Sequence, residues 1–251
     1  MTPTPAPLMP DTLQWRPESG PAQQLMVLLH GWGASAQDMA PLAQVLHRQF
    51  PQAVVLAPQG FESMDGALAG RQWFSLAAVT EADRPARVAA VLPRLADWLR
   101  AAQQATGVGA AGTALVGFSQ GAIMALELVQ QNDGIAGRVL SFSGRYASLP
   151  EAAPQHSTLH FFHGADDPVI AADHARAAIQ RLADIGGDAT IDIASGVGHT
   201  INSALMQSAL LRLTSHIPKR TWAAALGAAP GRAEAPALTA ADQAPPAADS
   251  H

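Results

Sequence analysis

The sequence predicts an α/β fold in which helices cover both faces of an open, mostly parallel sheet of about seven strands. The main observation is that short apolar runs alternate with longer helical patterns along the chain. Strands that alternate with helices pair in parallel, because each helix carries the chain back across one face of the sheet. A second observation is the length of 251 residues with 48% hydrophobic residues, which suits one α/β domain with a large core.

The predicted strands and helices follow one another in regular order. Buried strands are predicted at Leu25–Leu29, Ala53–Ala57, Thr113–Val116, Val139–Phe142, Thr158–Phe162 and Thr190–Ile193, with a further edge strand at Thr12–Trp15. Helices are predicted at Ala36–Arg48, Arg84–Gln104, Gln120–Gln131, Ala171–Ile185 and Ser203–His216. In the longest of these helices the apolar residues recur at a spacing near 3.6, which is typical of an amphipathic helix.

The two ends of the chain differ from the middle in composition. Residues 1–10 are rich in proline, and we expect them to be flexible. Residues 11–220 form the predicted α/β domain. Residues 221–251 are dominated by alanine and proline, so we expect a disordered tail, in which Trp222–Leu226 could form a helical stub.

Composition excludes several classes of function. A net charge of −5 with scattered basic residues argues against nucleic acid as a partner, because phosphate binding needs clustered Lys and Arg. The absence of cysteine excludes disulfides, Cys-based metal sites and a Cys nucleophile. The run Leu25–Leu29 is too short for a membrane span, and no secretory signal is visible, so a cytoplasmic protein is expected.

Two connections between predicted elements differ in length. The stretch Phe61–Asp83 shows no clear element, and a loop of this length in a compact domain is usually functional. The connection from Val139–Phe142 to Thr158–Phe162 is short. We therefore expect no inserted lid domain between these two strands.

The motif Gly117–Gly121 (GFSQG) joins the strand Thr113–Val116 to a helical pattern that begins at Ala122. A serine between a strand and a helix in this motif stands on a sharp, strained turn, where its hydroxyl is exposed and the helix N-terminus favours negative charge. This context favours Ser119 as a nucleophile. The alternative is a chance match in which Ser119 only caps the helix.

A serine nucleophile needs a histidine base, and the base needs an acid that orients it. Asp166 and Asp167 directly follow one predicted strand, and His199 follows the next. In folds with such a serine turn, the acid and then the histidine follow it along the chain at strand ends. Of the two aspartates we favour Asp167, because Pro168 holds it extended.

The oxyanion formed during acyl transfer needs N–H donors. One donor is expected from Gln120, the residue after the nucleophile, and the other from the loop after an early strand. The segment His30–Gly33 follows Leu25–Leu29, and its Trp32 N–H is the predicted second donor. The alternative for this segment is an ordinary glycine-rich turn.

Several motifs together carry a family resemblance between Leu25 and Arg220. They are HGWG, RQWF, GFSQGAIMALEL, HGADDPVI and GVGHTI. With them the chain resembles the carboxylesterase and acyl-protein thioesterase branch of the α/β-hydrolases, and in particular a bacterial esterase subgroup. The resemblance implies a lidless α/β-hydrolase fold that hydrolyses carboxylic esters or thioesters without cofactor or metal. It also implies a Ser119–Asp167–His199 triad and an oxyanion hole at Trp32 and Gln120.

The same resemblance implies that the Phe61–Asp83 loop forms one wall of an acyl pocket. Trp73, Phe74 and Met64 are the residues expected to line it, although packing beneath the loop is an equal alternative for Trp73. The chain departs from eukaryotic-type thioesterases at three positions, namely Ala34, Ser75 and Ala122. These departures argue against deacylation of lipidated proteins.

The leading functional hypothesis is a serine carboxylesterase that hydrolyses short to medium acyl esters of small molecules. An acyl thioesterase, acting on protein or coenzyme A thioesters, is the second hypothesis, since the same triad serves both reactions. A non-catalytic binding module on the same fold is the third. We expect a monomer or a homodimer.

Overall fold

The structure, a computed structural model, describes residues 11–65 and 69–226. Its strands are β1 (Leu13–Trp15), β2 (Gln24–Leu29), β3 (Ala53–Ala57), β4 (Glu62–Ser63), β5 (Arg71–Gln72), β6 (Thr113–Phe118), β7 (Arg138–Phe142), β8 (Thr158–Gly164) and β9 (Ala189–Ala194). Its α-helices are α1 (Ala40–Gln49), α2 (Arg84–Thr106), α3 (Gln120–Gln131), α4 (Asp173–Asp184), α5 (Ser203–Ser215) and α6 (Lys219–Ala225).

Seven strands form one sheet in the order β1-β3-β2-β6-β7-β8-β9. All neighbours pair in parallel except β1, which pairs antiparallel with β3. The chain leaves β2 toward one edge of the sheet and then continues from β6 toward the other edge. Such a reversal of strand order opens a crevice beyond the carboxyl ends of the two strands, where ligands bind in open α/β sheets.

Two apolar cores lie on opposite faces of this sheet. The alternation of side chains along β2 sends Leu25, Val27 and Leu29 to one face and Met26 and Leu28 to the other. The first core packs against α2, α3 and α4, and the second against α1 and α5. Because both faces are covered, the central strands are apolar almost throughout, as parallel strands usually are.

The predicted fold class is therefore confirmed, and the structure differs from the predicted elements in one helix and one loop. The predicted helix Ala36–Arg48 is divided into a 3-10 turn, Ala36–Met39, and α1. Pro41 lies in the first turn of α1, where its missing N–H costs no hydrogen bond. The second difference is that β4 and β5 form an antiparallel hairpin inside the Phe61–Asp83 loop, where no element is predicted. Two-residue strands are too short to show an alternating pattern.

The residues described from Lys219 onward belong to a second unit of the chain. Helix α6 includes residues 221–225, which are the first residues of the predicted tail and overlap the predicted stub. The predicted flexible residues 1–10 and the tail from residue 227 lie outside the described residues. Across the described ranges, no helix has both the length and the apolarity to cross a membrane.

Candidate active site

The turn at Ser119 joins β6 to α3 in a strained conformation. Ser119 has φ 53° and ψ −116°, which a residue with a side chain rarely adopts. Close backbone contacts surround the turn. A Cβ on Gly117 would lie 2.4 Å from the Cα of Ala122, and a Cβ on Gly121 would lie 2.1 Å from the carbonyl oxygen of Leu29. The two glycines of the motif are therefore required by packing, and the turn projects the serine hydroxyl beyond the sheet.

A chain of two hydrogen bonds connects three strand ends. His199 Nε2 lies 2.9 Å from Ser119 Oγ, and His199 Nδ1 lies 2.7 Å from Asp167 Oδ2. The serine follows β6, the aspartate follows β8 and the histidine follows β9. With its Nδ1–H donated to a carboxylate, the imidazole presents the Nε2 lone pair to the serine hydroxyl. The arrangement can therefore take up the serine proton.

The carboxylate of Asp167 is held in place by backbone N–H groups. Its Oδ1 accepts hydrogen bonds from Val169 N–H at 2.9 Å and Ile170 N–H at 3.0 Å. Burial acts to raise the pKa of Asp167, but the hydrogen bonds from His199 and from these N–H groups outweigh it and lower the pKa. Asp166 is exposed. Of the two aspartates, the structure thus brings Asp167 to the histidine.

A second histidine, His163, also reaches the acid. Its Nε2 lies 3.3 Å from Asp167 Oδ2 and 2.7 Å from the carbonyl oxygen of Ile170. Its side chain is buried, and burial lowers the pKa of His163. Sequence reasoning gave His163 no place beside the acid. Its spacing of four residues from Asp167 across a strand-end turn is the signal that could have found it.

The turn that carries Trp32 is fixed by the β5 strand. Gly33 N–H donates to the carbonyl oxygen of Arg71 at 3.0 Å, and Arg71 N–H donates to that of Ala34 at 2.9 Å. In the part of the chain that the structure describes, the backbone N–H groups of Trp32 and Gln120 have no hydrogen-bond acceptor. Both groups are therefore available to a ligand beside the serine.

The side chain of Gln120 connects the nucleophile turn to the Phe61–Asp83 loop. Its Oε1 accepts from Trp73 N–H at 2.9 Å, and its Nε2 donates to the carbonyl oxygen of Phe74 at 2.7 Å. The indole N–H of Trp73 donates to the carbonyl oxygen of His30 at 2.9 Å. Sequence reasoning assigned Gln120 only through its backbone N–H, because no motif indicates which distant backbone a buried amide meets.

The three residues predicted to line an acyl pocket belong to this loop, and their side chains point into the protein. Trp73 and Phe74 are fully buried within the first core, and the ring of Phe61 packs edge-on against Trp73 at 5.3 Å. The burial of Trp73 is compatible with the packing alternative. Met64 is also buried, and its thioether lies close to Gly33. Direct contact of these three side chains with a substrate stays a prediction.

The fold and the site together define the chain as an α/β-hydrolase. More narrowly, the chain belongs to the phospholipase/carboxylesterase family, which matches residues 14–217. Over 212 residues it is 47% identical to the esterase YpfH of Escherichia coli K12, covering 84% of this chain and 91% of that protein.

Solved structures show the same fold. The crystal structure of the esterase PE8 aligns with a TM-score of 0.74 at 30% identity, over 82% of this chain and 99% of the other. An acyl-protein thioesterase 2 from Zea mays aligns with a TM-score of 0.65 at 20% identity, over 81% of this chain and 97% of the other. At that identity the second likeness concerns the fold alone.

Proposed function

We propose that the protein is a serine carboxylesterase that uses Ser119 as nucleophile, His199 as general base and acid, and Asp167 as the acid that orients the histidine. The observation that supports this proposal most strongly is the pair of hydrogen bonds from Ser119 through His199 to Asp167. The phospholipase/carboxylesterase family and an esterase relative at 47% identity support it independently.

In the first half of the reaction, Ser119 Oγ attacks the acyl carbon while His199 Nε2 takes the hydroxyl proton. The carbonyl oxygen becomes an oxyanion, which accepts hydrogen bonds from the N–H groups of Trp32 and Gln120. His199 then gives its proton to the leaving alcohol oxygen, the bond between acyl carbon and that oxygen breaks, and the acyl group remains on Ser119. Asp167 keeps the imidazole in one tautomer and stabilises its charged form.

In the second half, a water molecule attacks the acyl-enzyme. His199 takes one water proton, a second tetrahedral oxyanion forms, and its collapse returns the proton to Ser119 Oγ and releases the carboxylic acid. The balance is one ester and one water consumed for one acid and one alcohol. The reaction draws on side chains and backbone N–H groups of this chain and on water.

Short to medium acyl esters of small molecules are the proposed substrates, and the cytoplasm is the proposed place of their hydrolysis. The connection between β7 and β8, residues 143–157, holds no helix or strand that could act as a lid. A lidless site suits substrates that reach it from solution. Hydrolysis of short esters should therefore exceed that of a long-chain triglyceride emulsion, and the reverse preference would contradict this part of the proposal.

Covalent labelling tests the nucleophile. A fluorophosphonate should label the wild-type protein and Ser215→Ala, whose serine is exposed at the end of α5, but not Ser119→Ala. Hydrolysis of a short 4-nitrophenyl ester should follow the same pattern. A Ser119→Ala variant that retains labelling would overturn the assignment, and a wild-type protein that neither labels nor hydrolyses would favour the binding module. Matched oxygen and sulfur esters would compare esterase with thioesterase activity.

A further inference from the structure

An apolar groove of about 540 Å³ lies between α1 and α5. This volume is in the range of small-molecule sites. Its apolar lining comes from the start and middle of α1, from the residue before the nucleophile and from the segment after the histidine. Six of the residues that line it are Leu42, Val45, Phe118, Thr200, Ile201 and Met206.

The groove begins beside the reacting atoms. Gly31 lines it, and a Cβ on Gly31 would lie only 3.4 Å from the Cβ of Ser119. Phe118 also lines it, and the centroid of its ring lies 4.9 Å from that of His199. Thr200, which directly follows the histidine, completes this end. A ligand covalently attached at Ser119 could therefore extend into the groove without a break.

The chemistry of the proposed reaction decides which half of the ester faces this groove. His199 must give its proton to the leaving oxygen, so the leaving group lies on the histidine side of the acyl carbon. The groove is bordered on that side by Thr200 and by the ring that packs against His199. We propose that the groove between α1 and α5 is the subsite for the alcohol half of the ester, an inference that rests on the proposed function.

The lining specifies an uncharged hydrocarbon group. Asp38 is the ionisable residue of the described lining, and its carboxylate accepts hydrogen bonds from the N–H and hydroxyl of Ser35. The amide oxygen of Asn202 accepts from Leu205 N–H. An anionic leaving group such as a nucleotide thiol would meet a negative charge here and no basic side chain of the described lining. A neutral alkyl or aryl alcohol matches the surface instead.

The length of the groove sets a limit on the alcohol chain. Met39, which directly precedes α1, and Leu42 and Val45 of α1 follow at intervals of three residues and all line the groove. Six residues of helix advance roughly 9 Å, and an extended chain advances roughly 1.2 Å per bond. The alcohol half should therefore gain contacts up to a chain of about seven carbons.

The test compares two matched ester series by titrating the released acid at constant pH. In n-alkyl acetates from methyl to decyl, kcat/KM should rise about fourfold per methylene up to about seven carbons and then level off. Methyl alkanoates of equal carbon number should rise less steeply. A flat acetate series would overturn the inference. If the wild-type enzyme did not hydrolyse even methyl acetate, that result would instead count against the proposed function.

Substitutions at Val45 locate the effect in the groove. Val45 is partly exposed and belongs to neither core, so a larger residue there fills the groove rather than the interior. Val45→Trp should remove most of the gain from butyl to heptyl acetate, so its ratio of kcat/KM for heptyl acetate to that for methyl acetate should fall well below the wild-type ratio. Gln44→Trp, exposed on the same helix, should behave as wild type.

A second variant guards against misfolding. Val45→Glu keeps a good helix former at this position and places a charge in the apolar groove, so it should show the same loss for long alcohols. If either Val45 variant instead reduced the rate only for long methyl alkanoates, the groove would hold the acyl half and the inference would be wrong.

Discussion

Replacing Gly70 by alanine should impair catalysis although Gly70 touches no reacting atom. Gly70 has φ 104°, and a Cβ there would lie 2.1 Å from the carbonyl oxygen of Gly33, next to the predicted donor Trp32. Restoring ordinary contact at about 3.4 Å requires the two backbones to separate by roughly 1.3 Å. A displacement of about 1 Å at a catalytic group costs on the order of 100-fold in rate, and loss of one oxyanion donor costs about 100- to 1,000-fold. We therefore expect kcat for a short 4-nitrophenyl ester to fall about 100-fold in Gly70→Ala.

The matched control is Gly107→Ala. Gly107 ends α2 with φ 72°, but a Cβ there would meet nothing within 4 Å. Both substitutions carry the cost of a left-handed residue, on the order of 1–2 kcal/mol, so both should lower the midpoint of urea unfolding, whereas only Gly70→Ala should lower kcat. Fluorophosphonate labelling should slow in parallel with kcat, because that reaction also develops charge on an oxygen in the oxyanion hole. Wild-type kcat in a folded Gly70→Ala protein would refute the claim that the β5 strand fixes the Trp32 turn.

Three further predictions concern the acid Asp167, the hydrogen bonds from the Gln120 side chain to the loop, and the buried His160. Asp167→Asn should lower kcat by about 10⁴-fold and Asp166→Asn by less than twofold in the same ester assay; equal losses would leave the choice of acid unsupported. Gln120→Leu leaves two buried backbone groups of the loop without partners, at about 1–3 kcal/mol each, so its unfolding midpoint in urea should fall well below that of the exposed-site control Gln131→Leu. Burial and nearby positive charge lower the pKa of His160 to about 3. Below about pH 6.5 the imidazole of His160 is therefore protonated in the unfolded chain but not in the folded chain. This difference lowers the free energy of unfolding by about 1.4 kcal/mol for each pH unit. Between pH 6.5 and pH 5 the free energy of unfolding should decrease less in His160→Gln than in the wild type. An equal decrease in both proteins would disprove this.

The fold and the family could be predicted from sequence because their signals are local. The runs that form β2 and β6 are apolar almost throughout, and the motif between β6 and α3 carries glycines that packing requires. The order of Ser119, Asp167 and His199 at strand ends indicated which side chains the sheet would bring together. Each strand run and each strand-end motif is contained in a short segment, and the order of these motifs along the chain supplies the rest.

The parts that sequence reasoning missed depend on contacts between distant segments. The amide of Gln120 bonds to backbone 46 and 47 residues away, and no local pattern specifies that partner. The burial of Trp73 was left open because a large aromatic residue in a loop suits either a pocket wall or a core. The β4–β5 hairpin escaped notice since its pairing, rather than its composition, defines it.

The double use of Gln120 limits how this enzyme could be re-engineered. Its main chain offers an N–H beside the nucleophile, and its side chain holds the Phe61–Asp83 loop. A loop transplanted from another hydrolase would have to present the same backbone N–H and carbonyl to that amide, or the transplant would disturb the nucleophile turn as well. Exchanging the loop would thus also change the geometry of the active site. A chimera should take Gln120 and the Phe61–Asp83 loop from the same parent protein.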